Sequence, residues 1–308
     1  MINKIYNYLK YITHFYFSTI REITKFLKYD SKKVILIEGY AETSNFGDAL
    51  NVPFIEYLST KKILFAKFLP RFIRRYQPTY AVIGSVLQWS NNNCIVWGAG
   101  FISNKNIKIP VPYKIHLVRG PLTRQVFLDN NIECPEIYGD PALLMPFIFN
   151  PKIDKKYKLG FLPHFVNKNS EFINSFENND NCLIMNILCG QDFKRLISEM
   201  LSCEFIVTSS LHGLIIAHSY NIPVLWVKYS VELEGGRFKF DDYLLSVNKK
   251  RLNPFLVEKH YEIEEYIALM DGEKIEVNYF DIINSCPFLN EVSKVEITKS
   301  INLKCFQK

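Results

Sequence analysis

Glycine and proline are scarce in this chain, 13 and 14 among 308 residues. That excludes a collagen-like repeat and a low-complexity chain, which need far more of both. No run of 18 uninterrupted apolar residues occurs, so no segment reads as a membrane span. The N-terminus also lacks a compact apolar core followed by a small-residue cleavage site, so a signal peptide is not expected. Acidic residues are the minority, 31 against 37 Lys and Arg, for a formal charge of +6. The bases are dispersed and form no stripe, which argues against nucleic acid as a partner. An anionic substrate or an anionic membrane surface suits the balance better. The seven cysteines (Cys94, Cys134, Cys182, Cys189, Cys203, Cys286 and Cys305) contain no C-x-x-C pair, and an odd number does not close into disulfides. They read as reduced core thiols of a cytosolic protein. Nucleotide-binding G-x-G-x-x-G and Walker loops, G-x-S-x-G and H-E-x-x-H are all missing, so no metal or tightly held cofactor is expected.

Aromatic residues are abundant, 24 Phe and 18 Tyr, which supplies ample core for one or two domains. Residues 1–28 carry apolar side chains at helical spacing (Ile5, Leu9, Ile12, Phe15, Ile20, Ile23, Leu27) punctuated by Lys4, Lys10, Arg21, Lys25 and Lys28. This predicts one or two basic amphipathic helices that pack on their own domain or lie on a membrane surface. From Lys33 the pattern turns to short apolar runs alternating with helical stretches. Strands are expected over 33–38, 80–83, 94–97 and 115–118, and helices over 48–58 and 121–128. The polar stretch 150–158 reads as a linker. Beyond it the alternation restarts, with strands over 159–162, 183–188, 205–207 and 224–227, and helices over 192–201, 211–220 and 238–247. The parse is α/β, with two similar halves at 1–150 and 151–308 joined by the linker and facing one another across a shared cleft.

Ligands of open parallel sheets bind beyond the carboxyl ends of the strands. That rule selects 44–48, Gly84-Ser85, Gly98–Gly100, Arg119, His164 and 209–213. In Thr208–Val227 a strand ends, Ser209-Ser210 can cap a helix, and His212 falls in its first turn, where free N–H groups favour an anion. Arg119 follows a strand and can fork onto phosphate or carboxylate, or simply bond loop carbonyls. At that position it is expected to make few core contacts. Asn45 and Asp48 flank Gly47 at a loop-to-helix junction and can bind hydroxyls or cap the helix. His116 and His218 lie within apolar elements and read as structural.

Read together, SNFGDALN (44–51), GSVLQW (84–89), VWGAGF (96–101), VRGPLTRQVF (118–127), GDPALLMP (139–146), GFLPHF (160–165), TSSLHGLIIAHSYNIPVLWV (208–227) and KFDDYL (239–244) resemble the polysaccharide pyruvyl transferase family. The resemblance implies two Rossmann-like halves in a GT-B-like arrangement, with 1–150 on the acceptor side of the cleft and 151–308 on the donor side. It implies transfer of the enolpyruvyl group of phosphoenolpyruvate onto two hydroxyls of a galactose-type sugar in a surface-polysaccharide precursor, giving a pyruvate ketal and phosphate. On this resemblance His212, Arg119 and Lys239 are catalytic. Ser209, Ser210, Leu211, Gly213 and Arg237 bind the donor, and Asn45, Asp48, Gly84, Ser85 and His164 bind the acceptor. Phosphoenolpyruvate is a substrate, and no cofactor or divalent metal is expected. The acceptor would be lipid-linked or an oligosaccharide, met in the cytoplasm, with the inner face of the membrane as an alternative. One departure stands out: Ser210 replaces the arginine of the family's Arg-Leu-His motif, leaving Arg237, Lys228 or Lys239 to supply that charge. The competing functions are a GT-B glycosyltransferase using a nucleotide sugar, and a non-catalytic polysaccharide-assembly protein.

Overall fold

In the computed structural model, residues 2–39, 45–104, 109–190, 192–229, 235–249, 253–270, 272 and 274–306 are described, with 2–11 and 304–306 as helical backbone only. Ser44 therefore lies outside the described residues, and Cys305 is described as backbone alone.

Two parallel five-stranded sheets organise the chain. The first contains β1 (Val34–Ile37), β2 (Lys62–Phe65), β3 (Thr79–Ala81), β4 (Cys94–Trp97) and β5 (Lys114–Leu117) in the order β2-β1-β3-β4-β5. The second contains β6 (Tyr157–Leu162), β7 (Cys182–Ile184), β8 (Cys203–Thr208), β9 (Val224–Lys228) and β10 (Phe255–Leu256) in the order β10-β9-β8-β6-β7. Counted from its own first strand, each sheet runs 2-1-3-4-5. In this doubly wound order the connections diverge between strands 1 and 3, leaving a crevice there. All four residues of β1 and of β4 are buried, because a parallel sheet is covered on both faces.

Twelve helices are described: α1 (Ile2–Lys28), α2 (Phe46–Ser59), α3 (Arg71–Tyr76), α4 (Pro121–Asp129), α5 (Met145–Ile148), α6 (Glu171–Asn174), α7 (Phe193–Leu201), α8 (Leu211–Ser219), α9 (Phe238–Ser246), α10 (Ile263–Ala268), α11 (Tyr279–Asn284) and α12 (Glu291–Phe306). Helix α8 is buried over all nine residues, as its all-round apolar sequence requires. It packs against a 3₁₀ turn, Pro141–Leu144, that follows the first sheet.

A single apolar cluster runs from Ile35 and Phe54 through Leu143 to Ile215 and Trp226, so the two sheets share one core. The chain's end returns to the first sheet. The Asn290 amide donates to the Leu58 carbonyl at 2.9 Å, and the Trp97 indole N–H donates to the Ile282 carbonyl at 3.1 Å. The segment expected as a strand over 183–188 is shorter, Cys182–Ile184.

Candidate active site

Both strand-order reversals open onto the same pocket, whose cavity volume is about 310 Å³. Asn45 and Asp48 enter from the start of α2, just past β1, and Gly84 and Ser85 follow β3. His164, Phe165 and Val166 follow β6, while Ser210, Leu211 and His212 lie between β8 and the first turn of α8. Ile102 and Lys239 complete the wall, the lysine from the first turn of α9. All five residues expected to meet an acceptor therefore line one pocket together with His212 and Lys239.

Backbone contacts bring the two sets of loops together. Asn45 bridges to Leu188, and the Phe46 amide donates to the Ile187 carbonyl at 2.9 Å. The Asn45 side chain makes no capping bond to α2, so the capping alternative for this residue does not hold. Gly47 passes directly over the His212 ring. A Cβ at that position would lie 2.0 Å from Nδ1, so only glycine permits the approach. Ser210 caps α8, accepting from the Gly213 amide at 3.4 Å.

The chemistry of the pocket depends on what lies behind its wall. His212 is buried, and burial together with the charges of Arg119 and Lys239 lowers its pKa to about 3. Burial and Lys239 likewise lower His164 to about 4. Behind His212 stands Asp140, wholly buried, with Oδ2 3.8 Å from Nε2 of the imidazole. Asp140 Oδ1 accepts from the Ala142 amide at 2.9 Å, whereas Oδ2 and His212 Nε2 are both buried without a hydrogen-bond partner. Burial raises the Asp140 carboxyl to about 7. The free site thus pairs a neutral imidazole with a carboxyl that holds its proton near neutrality.

Arg119 differs from its expected role. It is completely buried and does not line the pocket. Its Nε donates to Asp242 Oδ2 at 2.9 Å, Nη1 to Ser85 Oγ at 2.7 Å and Nη2 to the Phe101 carbonyl at 2.7 Å. Asp242, on α9, also accepts from the Thr123 amide and hydroxyl at 2.8 and 2.7 Å. The pair thus clasps the start of α4 to α9, and Gly120 allows the approach, since a Cβ there would meet the Asp242 carbonyl at 1.9 Å. Arg119 reaches the pocket through Ser85. Because the guanidinium occupies a lone pair of Oγ, the serine hydroxyl hydrogen is directed elsewhere.

The expected donor set divides. Ser210 and Leu211 lie in the pocket. Ser209 and Arg237 line a neighbouring cavity instead, with Trp226, Lys228 and Phe240. Arg237 bonds Asp241 at 3.0 Å and Asn253, and Ser209 donates to Asn167 at 3.1 Å. Gly213 is in neither cavity; a Cβ there would meet Thr208 Oγ1 at 2.4 Å, so it is needed for packing. His218 is structural, its Nδ1 lying 2.9 Å from the Tyr243 hydroxyl. Sequence reasoning gave no role to Asp140 or Asp242. The signal was present, since each is a carboxylate embedded in an apolar segment (GDPALL, FDDYLL) of a motif already singled out. Among the described residues, no group of three or more His, Cys, Asp or Glu could hold a metal ion.

The family model for polysaccharide pyruvyl transferase matches residues 3–231. An uncharacterized protein of Acanthamoeba polyphaga mimivirus is 32% identical over 222 residues, covering 69% of this chain and 74% of its own. The succinoglycan biosynthesis protein ExoV of Rhizobium meliloti (strain 1021) is 27% identical over 216 residues, covering 66% of this chain and 61% of its own. Among solved structures, an uncharacterized protein of Klebsiella pneumoniae subsp. pneumoniae aligns over 78% of this chain and 99% of its own, at 14% identity and a TM-score of 0.38.

Proposed function

The chain belongs to the polysaccharide pyruvyl transferase family, and from that premise we propose that its pocket transfers the enolpyruvyl group of phosphoenolpyruvate to two hydroxyls of a galactose-type residue in a polysaccharide precursor. The observation that carries the reading is the meeting of His212, Lys239 and the α8 N-terminus with Asp48 and Ser85 in one pocket between the sheets. Read this way, the sheets are the two halves of a GT-B-like arrangement, with the donor on the α8 side and the acceptor on the α2 side.

Phosphoenolpyruvate is a small polyanion. Lys239 and the unpaired amides of the α8 N-terminus offer it positive charge, while Asp48 and the Ser85 hydroxyl suit sugar hydroxyls. Ketal formation begins when a proton is delivered to the methylene carbon, leaving an oxocarbenium-like C2. The first sugar hydroxyl attacks C2 and returns a proton to His212. Phosphate then leaves with the C2–O bond pair, and the second hydroxyl closes the ring on the same carbon, its proton passing to the departing phosphate. His212 is the general acid of the first step. With the pocket empty its imidazole is neutral, but a bound trianion offsets Lys239 and Arg119 and raises its proton affinity. Asp140, 3.8 Å away and holding a proton near neutrality, is the nearest source for it. The lost family arginine at Ser210 is then met by Lys239, since Arg237 faces the neighbouring cavity.

A binding experiment tests this directly. Phosphoenolpyruvate should raise the melting temperature of the full chain, by ligand linkage, and UDP- or CMP-sugars should not. Lys239→Gln should remove most of that shift. A shift with nucleotide sugars alone would assign the pocket to glycosyl transfer instead.

A further inference from the structure

Helix α1 has two distinct faces. One packs on its own unit: Ile23, Phe26 and Tyr29 join the cluster of Leu36, Leu64, Leu69 and Ile73, and the rings of Phe15 and Phe68 lie 5.3 Å apart. Glu22 is turned inward here, its Oε2 accepting from the Phe65 amide at 3.2 Å at the edge strand β2. A second stripe is apolar and open to solvent. Tyr16, Phe17 and Leu27 are 62%, 65% and 78% exposed, alongside Ile12 and Ile20. Helix α3, which contributes Ile73 to the same cluster, adds Phe72 and Tyr76 at 66% and 83% exposure. So much exposed aromatic surface on two helices that pack on one cluster marks an interaction site.

Charge identifies the occupant. Glu22 is the sole acidic residue of α1, and it is buried and ion-paired with Arg21 and Lys25. Helix α3 has no acidic residue. The exposed charges on the two helices are therefore cationic: Arg21, Lys25, Lys28, Arg71 and Arg75. A second copy seated symmetrically on this face would bring like charges together. An anionic lipid surface complements it, with bases at the headgroups and aromatic rings at the boundary. No described helix is long and apolar enough to cross a membrane, so α1 would lie in the interface.

We propose that α1 and α3 form a docking face for anionic lipid bilayers. This is independent of the pyruvyl-transfer reading, since it uses none of the pocket residues. The test is vesicle co-sedimentation of the full chain, with phosphatidylcholine vesicles containing or lacking phosphatidylglycerol. Binding is expected only to the anionic vesicles, weakening at high salt. Arg71→Gln/Arg75→Gln should weaken binding by roughly 30-fold, at about fivefold per cation. Phe72→Ser/Tyr76→Ser and Tyr16→Ser/Phe17→Ser should each weaken it at least as clearly. The melting temperature should be unchanged in all three, because these side chains are exposed. The proposal is overturned if the wild-type chain ignores anionic vesicles, or if these variants bind like wild type. It is also overturned if the chain dimerises without lipid and Phe72→Ser/Tyr76→Ser abolishes the dimer, which would make a second copy the occupant.

Discussion

A buried carboxyl oxygen and a buried imidazole nitrogen, both without partners and 3.8 Å apart, oppose each other in their effect on stability. Asp140 has its pKa raised from 3.8 to about 7, so its contribution is full below the unfolded value and is lost as pH rises through about 7. His212 is lowered from 6.5 to about 3, so its contribution is present above 6.5 and is lost as pH falls toward 3. Replacing Asp140 by Asn removes the first slope and leaves the second. Asp140→Asn should therefore gain stability relative to wild type between about pH 4 and about pH 7, by on the order of 2–4 kcal/mol. Urea unfolding at the two ends of that window measures it, and a pH-independent difference would refute the assignment. Activity should move the other way, because the variant can no longer feed a proton to the imidazole. His212→Asn should fold normally and lose about 10²–10⁴ of kcat. Gly47→Ala should produce a similar loss by displacing the ring it now faces, as its Cβ would fall 2.0 Å from Nδ1; unchanged kcat in that variant would mean that the imidazole need not sit where it does.

At the scale of elements, the Arg119–Asp242 pair determines how α4 meets α9. Breaking one side leaves the other charge buried and alone, which costs roughly 3–5 kcal/mol. Arg119→Ala should accordingly lower the melting temperature strongly as well as activity, contrary to the few core contacts expected from its position in sequence. The double variant Arg119→Ala/Asp242→Ala should be less destabilised than the sum of its parts, with coupling above about 1 kcal/mol. A melting temperature for Arg119→Ala close to that of wild type would contradict the clasp. Sequence reading placed Arg119 correctly at the end of a strand but could not see its partner, because Asp242 lies 123 residues away and no local pattern encodes that contact. The missed strand β2 has a different cause. Lys61 precedes it, Lys62 opens it and it sits at the sheet edge, so it lacks the continuous apolar run that identified β1 and β4. Strand β10 is two residues long, too short to leave a pattern.

At the scale of the whole molecule, the alternation of strands and helices conveyed two parallel sheets, and the rule about strand ends conveyed the pocket. Asn45, Asp48, Gly84, Ser85, His164, Ser210 and His212 converge because each follows a strand at a reversal of order; the strand ends were readable from sequence, the reversals were not. What was not readable is how the sheets face each other. Arg237 is only two residues from Lys239, yet it faces a different cavity, because the chain turns into α9 between them. The return of α11 and α12 to the first sheet likewise rests on Asn290–Leu58 and Trp97–Ile282 contacts that span most of the chain. The central claim joins both sheets in one reaction, and one measurement addresses it most directly. The full chain is incubated with phosphoenolpyruvate and a panel of galactosides, with product mass and phosphate release followed together. The account predicts an acceptor heavier by one pyruvic acid less one water, one phosphate released per product, and neither with His212→Asn. Phosphate release without that mass gain, or sugar transfer from a nucleotide donor in its place, would contradict it.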